Sequence, residues 1–128
     1  VDNKDTERAE YLQTMKSLIE QAQEFDGLTA IVCTEKSRVR GLAKQLEGSA
    51  AKVLTSHDSL PAKGVVLLDL ALAKGLEFDQ VIVADAQEEV YKADGISRRR
   101  LYTALSRAMH HVIVVSQGKM TSLLSKLL

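Results

Sequence analysis

The strongest constraint on the fold lies between Gly64 and Ala86, in the string GVVLLDLALAKGLEFDQVIVADA. Two apolar, β-branched runs, Val65 to Leu70 and Val81 to Ala84, flank a short segment, Ala71 to Asp79, that carries Lys74, Gly75 and Glu77. Unbroken apolar runs of this length, bounded by turn residues, read as strands buried on both faces, and such strands belong to a mostly parallel sheet covered by helices. The segment between them is expected beyond the carboxyl ends of the strands, where open α/β sheets bind ligands. There Lys74 brings a positive charge, Gly75 permits a positive φ or a close backbone approach, and Glu77 supplies an acceptor.

The rest of the chain alternates in the same way. Leu12, Met15, Leu18, Ile19, Ala22 and Phe25 recur at helical spacing, so residues 5 to 25 predict an amphipathic helix ended by Asp26 and Gly27. Leu28 to Cys33 predicts a strand, Thr34 to Ser37 a polar turn, and Val39, Leu42, Ala43 and Leu46 a second helix closed by Gly48. Ala51 to Leu54 is a short strand candidate, and Ser56 to Lys63, with the only proline, is a loop. Asp85 to Gly95 reads as an acidic, turn-rich loop with freedom to move. Ser97 is placed to cap a helix from Arg98 to Ala108, whose apolar stripe is Leu101, Ala104, Leu105 and Ala108. Val112 to Val115 predicts a third interior strand, and Lys119 to Leu128 a closing helix with Met120, Leu123, Leu124 and Leu127 inward. The expected architecture is one α/β domain over residues 1 to 128, with a parallel sheet of about four to six strands.

Charge sets no global bias, because 17 basic residues balance 17 acidic ones, so contact with nucleic acid must come from a local patch. The only basic run is Arg98 to Arg100. A single cysteine inside an apolar run and three histidines without metal spacing offer neither a disulfide framework nor a zinc site, which suits a cytoplasmic setting. No run approaches the roughly 20 apolar residues that span a bilayer, so no membrane partner is expected. The chain begins at Val1 and enters directly on a helical pattern, so further domains are expected outside it.

The string AKGLEFDQVIV, followed by RRRLYTALSRAMHHVIVV, resembles motifs V and VI of the UvrD/Rep-type superfamily I DNA helicases. The order and separation of the pair make the resemblance specific, and it covers about residues 28 to 118. It implies a second RecA-like (P-loop NTPase-type) motor domain that closes over ATP against a P-loop domain, with Mg²⁺ held mainly by that other domain and single-stranded DNA as the partner. No Gly-x-x-x-x-Gly-Lys-Ser/Thr string occurs in the chain, so the loop that cradles nucleotide phosphates is not in this half.

The resemblance also assigns roles. In similar helicases the arginine at the position of Arg107 meets the γ-phosphate as an arginine finger, and the glutamate at Glu77 approaches the nucleotide, with Gly75 and Lys74 beside it. Helix geometry alone puts Arg107 near Arg100 and Thr103 at the rim of the core, where pairing with a surface carboxylate is the ordinary alternative. Thr34, Ser37 and Arg38 resemble the turn that approaches the nucleic-acid strand; an ordinary βα loop with Ser37 capping the next helix is an equal reading.

Two positions depart from the family. Many relatives end the strand before Ala-Lys-Gly in Thr-x-His, where this chain has Asp69 and Ala71. A carboxylate near the expected strand path favours an alternative, a helicase-like ATPase that remodels RNA polymerase or another nucleoprotein without unwinding. A non-catalytic α/β binding module is the alternative from a different class.

Overall fold

The structure, a computed structural model, describes residues 3 to 127, with side chains from 6 to 125. It begins with α1 (Asn3–Glu24), β1 (Leu28–Cys33), α2 (Lys36–Gln45) and β2 (Lys52–Val53). There follow β3 (Gly64–Asp69), the single turn α3 (Leu70–Ala73), β4 (Phe78–Val83), α4 (Gly95–Leu105), β5 (Ala108–Val114) and α5 (Leu123–Leu127). All strand pairings are parallel, and the sheet order is β2-β3-β1-β4-β5.

Strand periodicity divides the core into two layers, because successive side chains leave opposite faces. Ile31, Cys33, Val65, Leu67, Ile82 and Ala84 face α1 and α2, where they meet Tyr11, Met15, Ile19, Val39 and Leu42. Ala30, Val32, Val66, Leu68, Val81 and Val83 face the other way, toward Ala73, Tyr91, Leu101, Ala104 and Leu123. Burial on both faces explains why these strands carry no polar alternation.

Three sequence expectations change. Val112 to Val115 is not an interior strand: β5 forms the edge of the sheet, and Val112 is 39% exposed. Its apolar run packs on one side, with Val115 buried and Val114 half-buried, while no described strand covers its outer edge. Ser97 does not cap α4. Asp94 does, accepting from Ser97 N at 2.7 Å, so the helix starts three residues earlier and ends at Leu105. That bond holds the Asp94 carboxyl below the usual range. The closing helix starts only at Leu123; Met120 is exposed, Leu123 is buried, and the side chain of Leu127 and all of Leu128 lie outside the described residues.

The acidic stretch after β4 is anchored. Tyr91 is fully buried, Thr121 Oγ1 donates to the Tyr91 carbonyl at 2.6 Å, Thr121 N donates to the Ala86 carbonyl at 2.8 Å, and Ser122 N donates to Glu88 Oε1 at 2.8 Å. The stretch was expected to be free to move; Tyr91, its one large side chain, is buried and fixes it instead.

Candidate functional site

The two strands of the opening string are neither adjacent nor joined by a simple carboxyl-end loop. β1 lies between β3 and β4, so residues 70 to 77 cross the sheet from its carboxyl edge to its amino edge. The candidate residues divide with them. Lys74 stays near the carboxyl edge beside residues that follow β1 and begin α4, while Glu77 reaches the start of β4.

Arg107 lies past the end of α4, immediately before β5, at that same amino edge. Phe78 and Ala108 are register partners and Phe78 N donates to the Arg107 carbonyl at 2.9 Å, so Glu77 and Arg107 enter neighbouring strands side by side. The half-buried Arg107 turns back on the helix end: Nε donates to the Thr103 carbonyl at 3.2 Å, Nη2 to Ser106 Oγ at 3.2 Å, and Nη1 reaches the Leu76 carbonyl at 3.5 Å. Among the described residues its partners are neutral oxygens, and no carboxylate oxygen lies within 4.0 Å of it. Glu77 is exposed.

Between Lys74 and Glu77, Gly75 has φ +85. An L side chain is disfavoured there, and a Cβ would meet nothing within 4 Å, so the requirement is conformational and not steric. Gly75→Ala is expected to cost about 1 kcal/mol, read as a lower melting temperature, and to shift the approach of Glu77. An unchanged melting temperature would show that the turn relaxes.

Thr34 and Arg38 converge on Asp85, whereas Ser37 stands apart. Thr34 N and Thr34 Oγ1 both donate to Asp85 Oδ2 at 2.9 Å, and Arg38 Nε sits 3.8 Å from the same oxygen. Ser37 is exposed in the first turn of α2; the cap position is Glu35, with no side-chain cap bond, so Ser37 does not cap this helix. Asp85 itself was missed by sequence reasoning, because an aspartate after a strand reads as a turn residue. It is 4% exposed, its Oδ1 has no hydrogen-bond partner among the described residues, and burial pushes its carboxyl above the usual range against the opposing pull of Thr34 and Arg38.

Two of the cavities at the carboxyl edge take in positions singled out in the sequence. One, of about 460 Å³, is lined by Thr34, Lys74, Ile96, Arg99, Arg100 and Thr103, with neither Arg107 nor Glu77 in its wall. The other, of about 480 Å³, places Lys36 and Arg40 of α2 beside Asp69 and Ala71, the two positions that depart from Thr-x-His. Asp69 is buried there at the end of β3.

A parallel five-stranded sheet between helical layers is the architecture of a RecA-like α/β domain. The same fold recurs in the C-terminal domain of the DEAD-box protein Dbp5, with TM-score 0.60 at 15% identity over 93% of this chain and 77% of that one. The C-terminal domain of a possible DNA helicase from Lactobacillus plantarum WCFS1 matches with TM-score 0.81 and 32% identity, over 92% of this chain and 73% of that one. Residues 64–115 match the UvrD-like helicase C-terminal domain family, and the chain belongs to it. No curated protein matches it significantly. None of the described helices is long and apolar enough to cross a membrane.

Proposed function

We propose that this chain is the second motor domain of an ATP-dependent superfamily I DNA helicase, completing an ATP cleft with a P-loop domain of the same protein. Family membership supports the class, and the observation that carries the site is the register of Phe78 with Ala108, which sets Glu77 beside Arg107. ATP, when bound, supplies the phosphoryl group to be transferred to water. The residues present suit one side of it: a guanidinium with no carboxylate partner among the described residues, an exposed carboxylate, and a glycine at positive φ between that carboxylate and Lys74.

Arg107 would release weak bonds to carbonyl oxygens and place its planar fork against charge developing on the phosphoryl group. Glu77 would accept from nucleotide hydroxyls, and Gly75 sets its approach. Mg²⁺ and the remaining phosphate contacts would come from the P-loop domain, and single-stranded DNA would modulate closure of the two halves.

The chain alone is expected to show no ATP turnover, whereas the protein with its P-loop domain should hydrolyse ATP in a strand-dependent way. Steady-state turnover of the two proteins is the test, and activity in the isolated chain would overturn the proposal. Asp69 favours a second reading, an ATPase that remodels RNA polymerase or another nucleoprotein without unwinding, since a buried carboxylate occupies the expected strand side. Strand displacement by the ATP-active protein separates the two.

A further inference from the structure

β2 stops at Val53, whereas β3 runs on to Asp69. The last bond between them is Leu54 N donating to the Leu67 carbonyl at 2.9 Å, and beyond it no described strand flanks β3 on that side. The space left open is the cavity of about 480 Å³ between α2, the end of β2 and α3. Strand alternation turns Asp69 the same way as Val65 and Leu67, toward α2, so its carboxylate belongs to this cavity.

That carboxylate stands alone. Asp69 is 7% exposed, yet among the described residues its side chain makes no cap bond to α3 and has no basic nitrogen within 4.0 Å. A charge taken out of water without a partner destabilises the fold that holds it, and a donor from outside relieves the cost. The walls narrow the choice of donor. Val39, Leu54 and Leu72 are apolar and buried or half-buried, and Val53, 46% exposed, forms the lip. An apolar stem that ends in a cation fits such a space, because its methylenes cover the wall while its head reaches the floor. Arginine suits the floor better than lysine, since its planar fork meets a carboxylate in two parallel bonds and is more weakly hydrated. Lys36 and Arg40, exposed at the mouth on α2, oppose a bare cation and favour one with a carboxylate beside it. A nucleic-acid strand offers Asp69 only neutral base amines, and brings phosphates with them.

We infer that the Asp69 cavity docks a polypeptide segment of a separate partner protein, seating one arginine on Asp69 and an acidic neighbour of that arginine on Lys36 and Arg40. The choice of a separate protein rests on the cleft reading: Arg107 and Glu77, which the P-loop domain would meet, lie at the opposite edge of the sheet, beside β4 and β5. The docked segment gives the second reading, remodelling of a nucleoprotein, its point of contact with protein.

The test is a titration of the isotope-labelled 128-residue chain with a capped Ala-Glu-Arg-Ala peptide at low salt, followed by amide chemical shifts. Millimolar binding should move the amides of Val39, Leu54, Asp69 and Leu72. Citrulline in place of the peptide's arginine keeps the shape and removes the charge, and it should weaken binding at least about tenfold, as should Asp69→Asn in the chain. Glutamine in place of the peptide's glutamate should weaken it about two- to threefold. Asp69→Asn should melt at or above the parent's temperature, because it removes an unpaired buried charge, so its lost affinity is not lost folding. Glu47→Gln, which alters an exposed carboxylate outside the cavity, should leave affinity within about twofold. Absence of shifts at these amides, equal affinity for the citrulline peptide, or a clear fall in the melting temperature of Asp69→Asn overturns the proposal. Oligothymidylate binding at the same amides more tightly than the peptide overturns it too, and gives the cavity to the strand. Turnover of Arg107→Ala in the two-domain protein tests the cleft reading separately, and that variant should bind the peptide like the parent.

Discussion

Arg107→Ala, in the protein that includes its P-loop domain, is expected to lower ATP turnover by a factor of about 10³ to 10⁵ with little change in nucleotide affinity. In the proposed role the charge acts where negative charge develops, so its loss should fall on the transition state more than on bound ATP. Folding should be nearly unaffected. The three bonds of Arg107 go to the Thr103 and Leu76 carbonyls and to Ser106 Oγ, at 3.2 to 3.5 Å, and water replaces such partners at a cost of about 1 kcal/mol or less. Arg107→Lys should lose nearly as much turnover, because an ammonium has no planar fork. Turnover, nucleotide affinity and melting temperature of the three proteins decide the matter. Normal turnover with a large fall in melting temperature would make Arg107 a helix-end cap and nothing more.

Asp85→Ala should be among the most damaging single changes to stability, at about 2 to 3 kcal/mol. It strands the Thr34 amide and hydroxyl and leaves Arg38 without its counter-charge at the end of β1. Asp85→Asn should behave differently, since its carbonyl oxygen keeps both Thr34 bonds while the buried charge disappears. The sign of the pH dependence follows from the raised carboxyl. Between the ordinary aspartate value of about 3.9 and the higher folded value, the native state binds more protons than the unfolded one, so stability falls as pH rises. Chemical denaturation from acid to neutral pH should show that decline in the parent and a flatter profile in Asp85→Asn. An Asn variant as unstable as the alanine variant would show that the Arg38 pairing outweighs the cost of burying the charge.

Much of this fold was legible because double-sided burial leaves a plain mark: Leu28 to Cys33, Val65 to Leu70 and Val81 to Ala84 are apolar at every or nearly every position. The same mark misplaced Val112 to Val115. An edge strand covered on one side carries the same residues as a central one, and strand order is set by crossovers that local sequence does not encode. Motif spacing led to Glu77 and Arg107, but not to their meeting at the amino edge, which depends on the Phe78 and Ala108 register. The α4 boundary moved because Asp94 and Ser97 are both good caps three residues apart, and the first in the chain won. Thr34 and Arg38 were visible as polar residues after a strand, whereas their partner Asp85 lies 51 residues beyond Thr34. The basic cavity was hidden for a similar reason: Lys74 is isolated in sequence, and Arg98 to Arg100 appear as one run although only Arg99 and Arg100 line the space.

α4 runs the full height of the sheet. Its first half presents Arg99 and Arg100 at the carboxyl edge, and it ends at Leu105, two residues before Arg107 at the amino edge. Six residues of helical rise set Arg99 about 9 Å from the helix end at Leu105, and Arg107 follows two residues later. Leu101 and Ala104, fully buried between those ends, seat the helix against the sheet. One buried pair therefore anchors both the arginines at the carboxyl edge and the segment that delivers Arg107 at the amino edge.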